Sequence, residues 1–217
     1  MYSALIVAAG SAQRTGLGYN KIFYKIKDKT LLEHTIENFI KDSDFKEIVI
    51  VLSKDDLSKV KSIFKNDKIK YVIGGSTRQK SVFNGLNLIN TKYVFIHDGA
   101  RPNIKQTEIA KLKQVARNAD AVVLYTKAKD SVVKYEEDNI KEYVDRNEIG
   151  LIQTPQVFKS DLIKKAHSLA INNNNTYTDD ASLFIKELNK KVALVEGQEL
   201  NIKATTKYDL TLLEEIL

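Results

Sequence analysis

Short apolar runs recur along the chain, and each is followed by a stretch in which apolar residues fall three and four apart. Leu5-Ile6-Val7 opens the series. Glu47–Leu52 (EIVIVL), Tyr71–Ile73, Lys92–His97 (KYVFIH), Ala121–Tyr125 (AVVLY) and Val192–Val195 continue it. Runs without polar alternation mark strands buried on both faces. Between them, Leu31–Ile40 carries apolar residues at 32, 36, 39 and 40, a helical stripe. Ser53 and Asp56 have capping-box spacing ahead of a helix through Leu57, Val60, Ile63 and Phe64. Further helices are predicted through Val82, Leu86 and Ile89, over Ile104–Asn118, Ser160–Ile171 and Asp180–Leu188, and at the C-terminus, where Thr206 and Asp209 supply a cap. Strands and helices in this rhythm predict an α/β fold: a doubly wound, mostly parallel, Rossmann-like sheet with helices on both faces.

From Lys127 to Ile149 the rhythm changes. Ser131–Tyr135, a polar link over 136–139 and Ile140–Val144 predict a β-hairpin rather than a βαβ unit. Its apolar face is too small to stand alone. It must pack on its own domain or on a second copy of the chain, and the second copy, hence a homodimer, is the expectation. The remainder returns to α/β with a strand near Leu151-Ile152. No repeat or linker appears, so residues 1–217 are expected to form one domain carrying a β-arm at about 127–149.

Composition narrows the function. With 43% hydrophobic and 29% charged residues the chain has the balance of a soluble domain. No apolar run approaches the roughly 18 residues of a membrane span, and the N-terminus lacks the pattern of a secretory signal. A cytoplasmic location is expected. Cysteine is absent, which removes disulfides and thiolate chemistry, and the 3 histidines are dispersed, which argues against a zinc site or a triad. The net charge of +6 comes from Lys and Arg interleaved with 28 acids, so it points to anionic small molecules rather than nucleic acid.

Candidate chemistry clusters after the strands, where open parallel sheets bind ligands. After Leu5–Val7 come Ala8-Ala9-Gly10-Ser11-Ala12, too small to shield the backbone, then Arg14, Gly16, Gly18 and Lys21. A strand ending in such a loop exposes N–H groups suited to polyphosphate, and the cations can stabilise charge in phosphoryl chemistry. The loop lacks both the Walker A and the dinucleotide signatures. Gly74-Gly75-Ser76-Thr77-Arg78-Gln79-Lys80-Ser81 follows the third strand, with Gly75, Arg78 and Ser81 able to meet a ligand or simply to form a turn and cap. His97-Asp98-Gly99-Ala100-Arg101-Pro102 ends the next strand. Asp98 and Arg101 there suit sugar hydroxyls, a metal or phosphate, or form a structural ion pair; His97 reads as a core residue. Arg146, Thr154 within QTPQ, and Thr178 within TYTDDAS add polar groups, Thr178 with a capping alternative. Asn201 and Lys203 are left without a structural task.

Taken together, VAAG at 7–10, GGSTRQKSV, HDGARP, QTPQVF, TDDAS and NIKATTKYDL, in this order and spacing, closely resemble the 2-C-methyl-D-erythritol 4-phosphate cytidylyltransferases over nearly the whole length. The resemblance implies a nucleotidyltransferase that joins CTP to a polyol phosphate and releases pyrophosphate. It implies a divalent cation, normally Mg²⁺, held mainly by the CTP phosphates, and a homodimer joined through a β-arm. It assigns Arg14 and Lys21 to the transition state, and Ala8, Ala9, Gly10, Gly75, Arg78, Ser81 and Gly99 to the nucleotide. Asp98 falls at the junction of the substrates; Arg101, Arg146, Thr154, Thr178 and Lys203 fall on the polyol phosphate, with Arg146 reaching across from the second subunit and, like Lys203, serving catalysis. Two positions depart from the family pattern. Ala12 replaces a usual glycine, and Asn20 replaces a usual proline, so Asn20 is expected to lose the fixed φ that would aim Lys21. Ribitol-5-phosphate cytidylyltransferases share the fold and most motifs and remain the alternative, although HDGARP leans toward the erythritol enzymes. A non-catalytic nucleotide-binding protein is the other alternative.

Overall fold

The computed structural model describes residues 1–10 and 16–217. Its centre is a seven-stranded sheet built from β1 (Tyr2–Val7), β4 (Phe45–Leu52), β5 (Ile69–Ile73), β6 (Tyr93–Asp98), β7 (Ala121–Lys127), β10 (Gly150–Lys159) and β11 (Ala193–Glu196). Their order across the sheet is β11-β7-β10-β6-β1-β4-β5. All neighbouring pairs are parallel except those of β10, which runs against both β6 and β7. Two short strands, β2 (Lys25–Ile26) and β3 (Lys29–Thr30), form a small ribbon beside it.

The apolar runs behave as their composition requires. Leu5 and Ile6 of β1 and Ile48 to Leu52 of β4 are fully buried because helices cover both faces. On one face α1 (Leu31–Ile40), α2 (Leu57–Ile63) and α4 (Gln106–Ala116) pack Ile36, Phe39, Val60, Ile109 and Leu112 against Ile6 and Ile50. On the other, α3 (Arg78–Leu86), α5 (Ser160–Asn172) and α6 (Asp180–Leu188) pack Val82, Leu86, Ile163 and Phe184 against Leu5 and Val49. The last helix, α7 (Lys207–Ile216), covers Ile26, Leu31 and Ala100. Among the described residues no helix is long and apolar enough to cross a membrane.

Three local expectations are corrected. The strand near Leu151-Ile152 is ten residues long and extends to Lys159. Its middle, Gln153-Thr154-Pro155-Gln156, is polar and contains proline, and the β10–β7 register shifts between Ile152 and Gln156, so the proline falls where the ladder is interrupted. Ser53 does not cap α2. Its Oγ pairs with Asp56 one turn earlier, and the N-cap residue is Asp56. Thr178 does not cap α6 either; Asp179 does, in a capping box with Ser182.

The hairpin is present as β8 (Val132–Glu136) and β9 (Asn139–Val144), which among the described residues pair only with each other. Val133 opposite Tyr143 and Tyr135 opposite Ile140 lie on one face, and Tyr135, Ile140 and Tyr143 are exposed.

Candidate active site

Strands β1, β4, β5 and β6 end level with one another. Val7 pairs with Asp98 on one side and Val51 on the other, and Leu52 pairs with Ile73. The loops after these ends enclose a cavity of about 430 Å³ lined by Ala8, Ala9, Gly10, Asn20, Lys21, Gly75, Arg78, Ser81, Asp98 and Lys203, among others. A second cavity, of about 360 Å³, adjoins it and is lined by Arg78, Asp98, Arg101, Gln153, Thr154, Gln156, Thr178, Asp179 and Lys203. Arg78, Asp98 and Lys203 belong to both, so this trio forms the wall between them.

The larger cavity rests on a close approach of two loops. A methyl group on Gly74 would lie 2.6 Å from Ala9 Cβ and 2.8 Å from Ser81 Oγ, so only glycine lets the loop after β5 lie against the loop after β1. Ser81 Oγ accepts from the Gly75 N–H at 3.1 Å and donates to Thr77 O at 2.9 Å, which shapes the loop from inside. The Ala8 N–H is not free for a ligand, because it continues the β1–β4 ladder to Val51 O at 2.9 Å. Gly99 does not reach the cavity wall: its N–H donates to Val7 O at 2.9 Å, and a methyl group there would meet Ala8 Cβ at 3.1 Å. Its task is to seat β6 against β1. Arg14 and Ala12 lie outside the described residues.

Charge concentrates at the shared wall. Lys203 Nζ lies 2.6 Å from Asp98 Oδ2, and Arg78 Nε donates to Asp98 Oδ1 at 3.3 Å. Burial alone would raise the Asp98 pKa, but Arg78 and Lys203 overcome it and hold the carboxylate well below its usual range. Arg78 also donates through Nη1 to Asp180 Oδ2 at 2.7 Å, and Asp180 Oδ1 pairs with His167 Nε2 at 3.1 Å. Asp180 is buried, yet Arg78 and His167 lower its pKa as well. Asp180 was not among the candidates from sequence. Its signal was hidden because an acid at a helix start reads as dipole compensation, while its partner lies 102 residues away.

Thr154 reaches the second cavity with its hydroxyl already engaged. Oγ1 accepts from the Asp98 N–H at 3.1 Å and pairs with His97 Nδ1 at 3.0 Å. Arg101 O can only accept, so His97 donates to it from Nε2 at 3.0 Å, and the neutral ring leaves Nδ1 to accept from the Thr154 hydroxyl. Burial pushes the His97 pKa down to about 4, which matches this neutral tautomer and its place in the core. Asn201, expected to be without a structural task, is fully buried: Nδ2 donates to Gln153 Oε1 at 3.1 Å and Thr154 O at 2.9 Å, while its backbone carbonyl accepts from Arg101 Nη1 at 2.6 Å. It fixes the chain two residues before Lys203. Thr178 is exposed on the rim of the second cavity. Arg146 lines neither cavity of its own chain; it is exposed at the base of the hairpin, donating to Lys129 O at 2.7 Å.

Asn20 corrects another expectation. Its φ is −65°, the value that proline would impose, and its side chain holds it there by accepting from the Ile22 N–H at 3.3 Å. Lys21 then opens a 3-10 turn, Lys21–Phe23, anchored by buried Ile22 and Phe23. The Lys21 charge also helps to lower the Asp209 pKa, after hydrogen bonds from Thr206 and Thr205.

The donor set fits a cation that arrives with a polyanion. Among the described residues no group of three His, Asp or Glu could hold a metal. Asp98 is the carboxylate of the larger cavity, with both oxygens already facing cations. It could lend an oxygen to such an ion but not a full coordination sphere.

Strand ends that carry Ala8-Ala9-Gly10, the cations Lys21, Arg78 and Lys203, and a second polar cavity suit phosphate-bearing ligands, and comparison with known proteins places the chain among the nucleotidyltransferases. The family model for IspD, 2-C-methyl-D-erythritol 4-phosphate cytidylyltransferase, matches residues 2–217. A cytidylyltransferase so named from Clostridioides difficile (strain 630) is 39% identical over all of this chain and 94% of its own length. The crystal structure of 4-diphosphocytidyl-2C-methyl-D-erythritol synthase from Anaerococcus prevotii superposes with a TM-score of 0.89 at 31% identity, covering 99% of this chain and 97% of that one. The Francisella tularensis 2-C-methyl-D-erythritol 4-phosphate cytidylyltransferase gives 0.85 at 30% identity, covering 100% and 99%. The chain belongs to the 2-C-methyl-D-erythritol 4-phosphate cytidylyltransferase family.

Proposed function

We propose that the larger cavity takes CTP and the smaller one 2-C-methyl-D-erythritol 4-phosphate, and that the chain joins them into 4-diphosphocytidyl-2-C-methyl-D-erythritol with release of pyrophosphate. The supporting observation is the wall that the cavities share, where Arg78, Asp98 and Lys203 stand between two spaces each suited to a phosphate-bearing ligand. A phosphate oxygen of the acceptor attacks the α-phosphorus, a new P–O bond forms, and the bond to the bridging oxygen of the pyrophosphate breaks. The acceptor phosphate is anionic at neutral pH, so no side chain need remove a proton. The protein's part is alignment and charge neutralisation. Lys203 holds the acceptor phosphate beside Asp98. Lys21 lines the cavity where charge grows on the α-phosphoryl oxygens and the leaving group, and the family resemblance gives Arg14 the same role. A divalent cation such as Mg²⁺, carried mainly by the triphosphate with Asp98 in reach, neutralises further charge when bound.

The same proposal makes the enzyme a cytoplasmic homodimer, drawing on the CTP pool there. The exposed Tyr135, Ile140 and Tyr143 on one face of the hairpin support a partner arm packing against it, and the exposed guanidinium of Arg146 at the arm's base supports its reaching the partner's second cavity.

Pyrophosphate release from CTP and Mg²⁺ is the test, with methylerythritol phosphate or ribitol phosphate as acceptor. Release with the first is expected. Release with ribitol phosphate alone would reassign the acceptor, and CTP binding without release from either would leave a nucleotide-binding protein.

A further inference from the structure

The Lys21 turn is tied from outside the site. Asn20 Nδ2 donates to Asp56 Oδ2 at 2.8 Å and lies 3.4 Å from Ala8 O, while its Oδ1 accepts from the Ile22 N–H. One carboxamide thus joins the cradle, the Lys21 turn and α2. Asp56 is itself braced: Ser53 Oγ donates to the same Oδ2 at 2.7 Å and accepts from the Asp56 N–H at 3.1 Å. At the other end of the turn, Lys59 Nζ of α2 sits 3.8 Å above the Phe23 ring. The start of α2 therefore grips the turn both before and after Lys21. Asp56 lines neither cavity.

We infer that Asp56 is a positioning residue for phosphoryl transfer: through Asn20 it sets the direction of the turn that carries the Lys21 ammonium. The inference rests on the proposed role of Lys21. Without Asp56 the Asn20 side chain keeps only its 3.4 Å contact with Ala8 O and its 3.3 Å bond from Ile22 N–H, so nothing in it ties the turn to α2, and the turn could pivot about its buried pair, Ile22 and Phe23. Displacing a catalytic charge by a fraction of an ångström is enough to cost rate while leaving ground-state binding in place.

The test is a set of kinetic cycles with pyrophosphate release as the readout. Asp56→Ala should lower kcat by about 10-fold with the KM for CTP nearly unchanged, the pattern of a contact felt in the transition state. Asp56→Asn keeps an acceptor without the charge and should retain most of the activity. The decisive arm is Asn20→Pro. Its ring imposes the φ that Asn20 already has, so within that background Asp56→Ala should cost nothing further. Equal losses for Asp56→Ala in both backgrounds would overturn the inference, as would a loss with Asp56→Asn as large as with Asp56→Ala, since charge rather than the tie would then be responsible. Unchanged Asp56→Ala together with an inactive Lys21→Ala would sink the tie alone. Full turnover by Lys21→Ala would remove the reading of the site on which it rests. Thermal unfolding of each variant separates these outcomes from a general loss of fold.

Discussion

Asp180 Oδ2 accepts a hydrogen bond from Arg78 Nη1 at 2.7 Å, and through it the first turn of α6 fixes the guanidinium that faces both cavities. The pair is well shielded, with the Asp180 side chain 2% and that of Arg78 28% exposed. Asp180→Ala leaves His167 and one edge of Arg78 without their partner. The expected outcome is a loss of about 2–4 kcal/mol of stability, read by urea unfolding, together with a raised KM for CTP. Unaltered nucleotide binding in a folded Asp180→Ala protein would show that Arg78 is aimed by Asp98 alone.

Lys21→Ala tests the charge at the cradle. Removing a preorganised charge stabiliser is expected to cut kcat by about 10²–10³-fold. CTP binding, followed by calorimetry, should persist, because the remaining cradle contacts are untouched.

Lys203→Met keeps the aliphatic stem and deletes the ammonium that lies 2.6 Å from Asp98. The second cavity then loses a cation while Asp98 keeps its negative charge through Arg78. Loss of one charged hydrogen bond corresponds to a rise of about 10–100-fold in the KM for the polyol phosphate. Steady-state kinetics with the acceptor varied at saturating CTP would measure it; an effect confined to the KM for CTP would contradict the assignment.

His97 links the site to acid stability. Its folded pKa of about 4 lies below the ordinary 6.5, so as the pH falls the unfolded chain takes up this proton first. The stability due to neutral His97 is complete above about 6.5, declines through the interval and is lost below about 4. Urea unfolding across that range should show the decline. His97→Gln, which retains a donor toward Arg101 O, should flatten it at the cost of about 1–3 kcal/mol at neutral pH from the pairing with Thr154.

Arg146 supplies the test of the dimer. Arg146→Ala is expected to lose activity toward the polyol phosphate although it leaves its own chain's cavities intact. Mixing it with Lys21→Ala subunits should restore activity, since one site of each hybrid then holds both wild-type residues. No restoration in hybrids verified by native mass spectrometry would place Arg146 outside the partner's site.

Much of the fold could be read from the apolar runs, because strands such as Glu47–Leu52 and Lys92–His97 are buried on both faces and so carry an unbroken signal. β10 was legible only at Leu151-Ile152, because the polar residues in its middle face Asp98, Asn201 and the start of α6 rather than solvent: Thr154 accepts from Asp98 N, Gln153 from Asn201, and Gln156 donates to Asp179. Buried polar side chains satisfied at long range have no local periodicity. The same cause hides the task of Asn201, and the tie to Arg78 that Asp180 makes in addition to starting α6. That Lys21, Asp98 and Lys203 come together around one cavity was legible because each lies at or after a strand end. That Asn20 adopts proline's φ was not legible, because nothing local shows its side chain bound both to Ile22 N–H and to Asp56, 36 residues further along.

The wall between the two cavities is made of side-chain charges rather than backbone. A phosphate that draws Lys203 away from Asp98 leaves that carboxylate leaning more heavily on Arg78, which borders the other cavity. On the proposed reading of the site, the two pockets are then thermodynamically linked. Whatever factor an occupied acceptor pocket applies to nucleotide affinity, bound nucleotide must return to the acceptor in equal measure.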